Sequence, residues 1–390
     1  MNNALIIILY DHPWEHTTDY TEQTANILCR NNTVICYMQK EAKSLKEILV
    51  DRRQYRVWKK HNNKFFLFFP VFLIPFRRFS VIVSLNTWLN ILILKTILYV
   101  LALRHTFSKK ILWIFYPEYV YMIGFFGRAY ISVYDCVDYH AGSSPYKERE
   151  KNIIRWEHEL ISTCTYFFVN SRVLYNLHKK TRSDIVLVPQ GFRLDTFPLV
   201  YKNKKYTARS KKPIIGYIGG INYRLDYALL TAIVRKTPQY NYLFVGPIQE
   251  NDKEYFRIHI KHQIELLFSF PNVRHLEYIS KTSIPPVISG FDIAIIPYDT
   301  QLPFNKHCYP MKLFEYFYMG KPVIATPITE LTRFHKFVKI GSSPQVWIRH
   351  MNDLMRNPWP EVYKKEQRLL AENNSWEKKI SRMLPIIERG

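Results

Sequence analysis

The chain has 390 residues, 47% of them apolar and 16% aromatic, enough to bury a sizeable core, so disorder throughout is excluded and two domains are expected. Its 12 glycines exclude a collagen-like repeat, and its five cysteines, none in a CxxC pair, exclude a disulfide-dense scaffold and favour a reducing compartment. Lys+Arg exceed Asp+Glu by 55 to 32, a formal +23, which suits a polyanionic partner: nucleic acid, an anionic membrane face or phosphorylated small molecules.

In chain order, Met1-Asn2-Asn3 runs directly into residues 4–10, which read as a buried strand and not as a secretory signal. Further short apolar runs fall at 34–38, 65–69, 111–115, 129–133, 166–169 and 185–188, with segments long enough for helices at 22–30 and 147–162. A second series follows the Lys-rich stretch 201–212, at 214–218, 242–245, 273–276, 293–296 and 323–325. Strands alternating with helices imply parallel sheets with crossover helices, that is, two Rossmann-like α/β domains. The basic residues cluster at 52–64, 77–78, 109–110, 179–182 and 202–212.

Residues 65–103 are the candidate membrane segment. The run 65–76 is too short to span hydrocarbon as a helix and contains Pro70 and Pro75. The run 80–103 is long enough, but Ser80, Ser84, Asn86, Thr87 and Asn90 share one half of its circumference, so its first half is amphipathic. A crossover helix covering the sheet is expected, ahead of interfacial insertion beside basic residues and a true span.

The most informative stretch is Tyr309-Pro310-Met311-Lys312-Leu313-Phe314-Glu315-Tyr316-Phe317-Tyr318-Met319-Gly320-Lys321-Pro322-Val323-Ile324. Pro310 suits the first turn of a helix and Gly320 the position past its end. A helix so placed aims its free backbone N–H groups at whatever binds before it, a ready site for phosphate, and Lys312 adds a cation in its first turn. Glu315, set among Leu313, Phe314, Tyr316 and Phe317, needs a hydrogen-bonding partner, which a ribose diol would supply.

This stretch is similar to the donor-binding element of GT-B glycosyltransferases of the group 1, family 4-like type. Other pieces resemble that family in order: Asn170-Ser171-Arg172, then Val188-Pro189-Gln190-Gly191-Phe192, then Ile214-Ile215-Gly216-Tyr217-Ile218-Gly219-Gly220 followed by Arg224 and Asp226, and later Phe291-Asp292-Ile293 and Ser375-Trp376. The resemblance implies an α/β, GT-B fold: two Rossmann-like doubly wound domains facing across a cleft. It sets an acceptor domain at 1–198, a linker at 199–212, a nucleotide-sugar domain at 213–365, and a closing helix at 366–390 packing back on the first domain. It implies that Glu315 holds the nucleotide ribose and that the N–H groups of Met311 and Lys312 meet the diphosphate; beside them, Gly219 and Gly220 read as a close backbone approach to that diphosphate, with Arg224 as a counter-charge. Two glycines after a strand are also a common turn. Family members carry an acid eight residues before this glutamate; His307 stands there instead, a candidate for contact with the transferred sugar.

In the first domain, Val133-Tyr134-Asp135-Cys136-Val137-Asp138-Tyr139-His140 follows a strand. Similar Tyr-Asp-x-x-Asp segments stand near the acceptor in bacterial polysaccharide glycosyltransferases. Asp138, ahead of Asp135, is the candidate general base, with His140 beside it; the alternative is that Asp135 caps a turn and Asp138 starts a helix. His16, in the loop Asp11-His12-Pro13-Trp14-Glu15-His16, either lines the acceptor site or is an exposed loop histidine. No Asp-x-Asp, HExxH or His/Cys cluster stands at metal-ligand spacing, so no metal and no separate cofactor are expected.

The expected activity is transfer of a sugar from a nucleotide-sugar, UDP-linked by preference, to a saccharide or lipid-linked acceptor in bacterial polysaccharide assembly. The enzyme is expected in the cytoplasm, peripheral on the inner face of the cytoplasmic membrane, with no nucleic-acid partner. The rivals are a sugar-nucleotide epimerase of the same fold and an inactive basic module that binds membrane or nucleic acid.

Overall fold

The computed structural model describes residues 1–10, 19–39, 43–50, 57–74, 79–143, 147–197, 212–250 and 255–389. Among them the chain forms two compact units, Met1–Pro189 with Lys379–Gly390, and Gln190–Lys378. Most of the 199–212 linker lies outside the described residues.

The first unit is built on an eight-stranded sheet. In spatial order its strands are Val186–Leu187, Tyr166–Val169, Ile131–Cys136, Lys110–Ile114, Leu5–Tyr10, Thr33–Met38, Phe65–Phe68 and Trp58–Asn62. All pair in parallel except the last, which runs antiparallel to Phe65–Phe68. The run Leu5-Ile6-Ile7-Ile8-Leu9 is at most 1% exposed, because a parallel strand covered on both faces requires apolar side chains at every position. Residues of the last helix belong to this unit. The Lys109 ammonium donates to the Ile387 and Glu388 carbonyls at 3.3 and 2.9 Å, and the Met1 amino group pairs with Glu388.

The second unit carries six parallel strands: Val273–Leu276, Asn241–Val245, Ile214–Ile218, Ile293–Ile296, Val323–Ala325 and Val338–Ile340. Chain order reverses between Ile214–Ile218 and Ile293–Ile296, and in the first unit between Leu5–Tyr10 and Lys110–Ile114. Each sheet is therefore doubly wound with a switch point. Where a single closing helix is expected at 366–390, the chain forms two, Glu361–Asn373 and Trp376–Arg389. Between them the Ser375 hydroxyl accepts from the Lys378 N–H at 3.3 Å and starts the second.

The helix over 80–103 is present as Ser80–Arg104, its buried side mixing Asn86 and Asn90 with Ile91, Leu94 and Leu98. Asn86 and Asn90 are buried. Asn90 exchanges hydrogen bonds with the Val71 backbone at 2.8 and 2.7 Å, and Asn86 with the Ile74 backbone at 2.9 Å each way. Their amides satisfy a short extended segment, so the two asparagines of the polar stripe face inward, while Ser80 and Ser84 are exposed.

Candidate active site

The switch point of the second sheet lies between the carboxyl ends of Ile214–Ile218 and Ile293–Ile296, the position at which doubly wound sheets receive ligands. The first strand runs into Gly219 and Gly220, the second into Pro297 and Tyr298. Gly219 has φ +140°, and a Cβ there would stand 2.6 Å from Lys312 Nζ. Gly246, at φ +138° past the neighbouring strand, packs so closely that its Cβ would stand 2.3 Å from the Gly219 carbonyl oxygen. The Gly219 N–H donates to the Val245 carbonyl at 2.9 Å. Only glycine admits both the backbone angle and the approach.

Lys312 opens the helix Lys312–Tyr318. Its side chain is buried, 9% exposed, and Nζ donates to the Tyr217 and Tyr298 hydroxyls, each at 2.9 Å. The Tyr217 hydroxyl donates onward to the Gly220 carbonyl at 3.0 Å. Among the described residues no carboxylate pairs with this ammonium. Burial works against its charge, the two phenol oxygens favour it, and the balance holds Lys312 above the ordinary lysine range. Burial raises the Tyr217 phenol despite the adjacent Lys312. At neutral pH the cluster thus holds a positive charge on Lys312 beside the neutral Tyr217 hydroxyl. A cation set in low dielectric without a counter-charge is a receptor for an anion.

Met311 precedes the helix with helical angles, φ −56° and ψ −36°, and Gly320 closes it at φ +64°, the left-handed conformation favoured just past a helix end. Glu315 lies one turn beyond Lys312 and is half-exposed, so the two side chains share a face. The helix is pinned to the switch strand by the Tyr316 hydroxyl, which accepts from the Ile218 N–H at 3.0 Å.

Arg224 meets the same cluster through Tyr298. Its guanidinium lies 4.4 Å from the Tyr298 ring and 4.5 Å from the Phe304 ring, and its Nε donates to Asn305 Oδ1 at 2.8 Å. His307 is half-exposed, its ring bonded to the Pro303 carbonyl at 2.9 Å within the short helix Pro303–His307. The structure thus gathers Gly219, Gly220, Arg224 and Lys312, with Glu315 one turn away. Tyr217, Tyr298 and Gly246 were not foreseen. Gly246 follows a strand just as Gly219 does, and that parallel was available in the sequence.

The first unit separates its two aspartates. Asp135 is fully buried, and its Oδ1 accepts from Lys379 Nζ at 2.7 Å, both side chains being at most 1% exposed. Asp138 is half-exposed. His140 is 6% exposed and sits edge-on to Tyr116, ring centroids 5.3 Å apart. His16 lies outside the described residues.

Sequence spacing shows no metal-ligand cluster, but folding assembles three such side chains in the first unit: Cys136, Glu157 and His178 have ligand atoms within 4.8 Å of one another. Burial raises the Cys136 thiol and raises the Glu157 carboxyl to about 7, while it lowers the His178 imidazole to about 4. The Tyr134 hydroxyl donates to Glu157 Oε1 at 2.7 Å. Each group is pressed toward its neutral form, which reads as core packing.

Two doubly wound units, the second with a cationic, glycine-walled switch point, make up a GT-B fold. Residues 212–357, within the second unit, match the model of the glycosyl transferases group 1. Over 288 residues it is 25% identical to a Bacillus subtilis (strain 168) protein named as a teichuronic acid biosynthesis glycosyltransferase, TuaH, covering 68% of each chain. Sucrose-phosphate synthase from Thermosynechococcus elongatus superposes with a TM-score of 0.73 at 14% identity, over 99% of this chain and 98% of that one. HepE of Anabaena, solved with UDP and glucose, superposes with a TM-score of 0.69 at 11% identity, over 99% and 100%.

Proposed function

We propose that this enzyme transfers a sugar from a UDP-linked donor to a saccharide or lipid-linked acceptor in the assembly of a bacterial surface polysaccharide, working at the inner face of the cytoplasmic membrane. The observation that carries the donor half is the buried Lys312 ammonium, which meets two phenols and no described carboxylate beside the Gly219–Gly220 turn. A nucleotide diphosphate supplies the missing negative charge. Glu315, one turn along, accepts from ribose hydroxyls, and Met311 and Lys312 present the helix's first N–H groups to the same phosphates. HepE, with its bound UDP and glucose, and TuaH, named for a polysaccharide, support the choice of donor and product class.

In the transfer step an acceptor hydroxyl oxygen bonds to the anomeric carbon while the bond from that carbon to the diphosphate oxygen breaks. Charge builds on the departing UDP, and Lys312 with Arg224 stabilises it in place of a metal ion. The hydroxyl proton passes to Asp138, the more accessible of the two aspartates, whereas Asp135 is engaged by Lys379. His140 orders the acceptor loop and His307 contacts the transferred sugar.

Titration of UDP by calorimetry tests the donor site. Glu315→Ala and Lys312→Met are each expected to weaken UDP binding by roughly tenfold to a hundredfold, the loss of charge-assisted hydrogen bonds. Binding unchanged in both variants would remove the proposed site, and a wild type that binds no nucleotide diphosphate would leave an inactive module.

A further inference from the structure

The helix Ser80–Arg104 is long and apolar enough to cross a membrane by length and composition, yet it is tied to the first unit along one side. Asn86, Asn90, Ile91, Leu94 and Leu98 are buried, and the asparagines hold the Val71 and Ile74 backbone. On the far side stands a second apolar stripe: Val81, Leu85, Trp88, Leu92, Tyr99 and Leu103, all exposed, Val81 and Leu103 at 69% each. At 100° per residue these six fall within about 60° of one another and extend roughly 33 Å along the axis. Water does not favour an apolar ribbon of that length, and such surfaces mark a docking site.

Beside its C-terminal half lies a cavity of about 210 Å³ lined by Lys95, Tyr99, Lys110, Phe126 and Tyr130 among others. Lys95 Nζ stands 5.7 Å from the Phe126 ring centroid and Lys110 Nζ 5.9 Å from that of Tyr130. Neither lysine pairs with a carboxylate among the described residues. Exposed Lys59, Lys60, Lys64 and Arg104 and the formal +23 of the chain extend the positive field. Two cations in a small pocket at the border of an apolar stripe match the boundary between phosphate headgroups and acyl chains.

We propose that the outward stripe of Ser80–Arg104 lies in the plane of an anionic bilayer surface, with Lys95 and Lys110 holding a lipid phosphate in the pocket beside it. The helix lies on the membrane and does not cross it, because leaving the sheet would strand Asn86 and Asn90 and the backbone groups they satisfy. The proposal deepens the peripheral placement above and is independent of the nucleotide site.

The test is co-sedimentation of the full chain with phosphatidylglycerol-rich and with pure phosphatidylcholine vesicles, at low and high salt. Wild type is expected to sediment with the anionic vesicles and to lose binding as salt rises. The double variant Lys95→Gln/Lys110→Gln is expected to bind roughly thirtyfold more weakly at low salt. Trp88→Glu/Leu92→Glu is expected to bind at least tenfold more weakly at low salt, with unchanged circular dichroism and UDP affinity. Wild type that ignores anionic vesicles, or a Trp88→Glu/Leu92→Glu variant that binds like wild type, would overturn the proposal. So would a dimer in solution that this variant dissolves, since a second copy would then cover the stripe. Loss of UDP binding with vesicle binding intact would count against the donor site alone.

Discussion

Lys312 and Asp135 are both buried charges, and their surroundings give them opposite tasks. Asp135 has its counter-charge in place, Lys379 at 2.7 Å, so the pair holds the first unit together. Removing one partner leaves the other charged in low dielectric, so Asp135→Ala is expected to cost about 3–5 kcal/mol in urea unfolding. Asp138→Asn, at a half-exposed position, is expected to stay within about 0.5 kcal/mol of wild type while turnover falls by roughly 10²–10⁴. An equal loss of stability in both variants would count against that division. Lys312 and Glu315 were legible in the sequence because a short helix carries both, three residues apart. The Asp135–Lys379 pair was not, because its members stand 244 positions apart.

Local elements obey the same distinction. Runs such as Ile214–Ile218 and Tyr166–Val169 announce themselves, since strands covered on both faces are apolar at every position. Trp58–Asn62 gave no such signal: it is an edge strand of Trp-Lys-Lys-His-Asn, exposed along most of its length, and only its pairing with Phe65–Phe68 makes it a strand. The Gly219–Gly246 contact is likewise a product of pairing, since it joins the ends of two adjacent parallel strands. Gly246→Ala would force a Cβ to 2.3 Å from the Gly219 carbonyl at φ +138°. It is expected to destabilise the second unit by at least about 1 kcal/mol and to weaken UDP binding. Gly124→Ala, where a Cβ meets nothing within 4 Å, is the control, expected to be neutral or to stabilise its helix by up to about 1 kcal/mol. Equal behaviour of the two variants would mean that the close approach does not shape the site.

At the scale of the whole molecule, the buried Cys136–Glu157–His178 cluster ties stability to pH. The folded state raises the Glu157 carboxyl from 4.5 to about 7, so its contribution is complete below the ordinary value and declines as pH rises through about 7. His178 is lowered from 6.5 to about 4, so its contribution is present above 6.5 and is lost as pH falls through about 4. The two oppose each other in wild type. Glu157→Gln is expected to remove the decline, on the order of 3 kcal/mol, and leave stability rising with pH between about 4 and 6.5. Denaturant midpoints across that range check it, and a profile identical to wild type would place the ionised carboxylate in the core. Sequence alone determined the α/β class, the two strand series and the helix Lys312–Tyr318, because hydrophobic period and a short motif are local properties of the chain. Only the tertiary structure decided which charges are paired, which face of Ser80–Arg104 turns outward and which glycines touch. Those depend on segments far apart in sequence that meet when the sheets close.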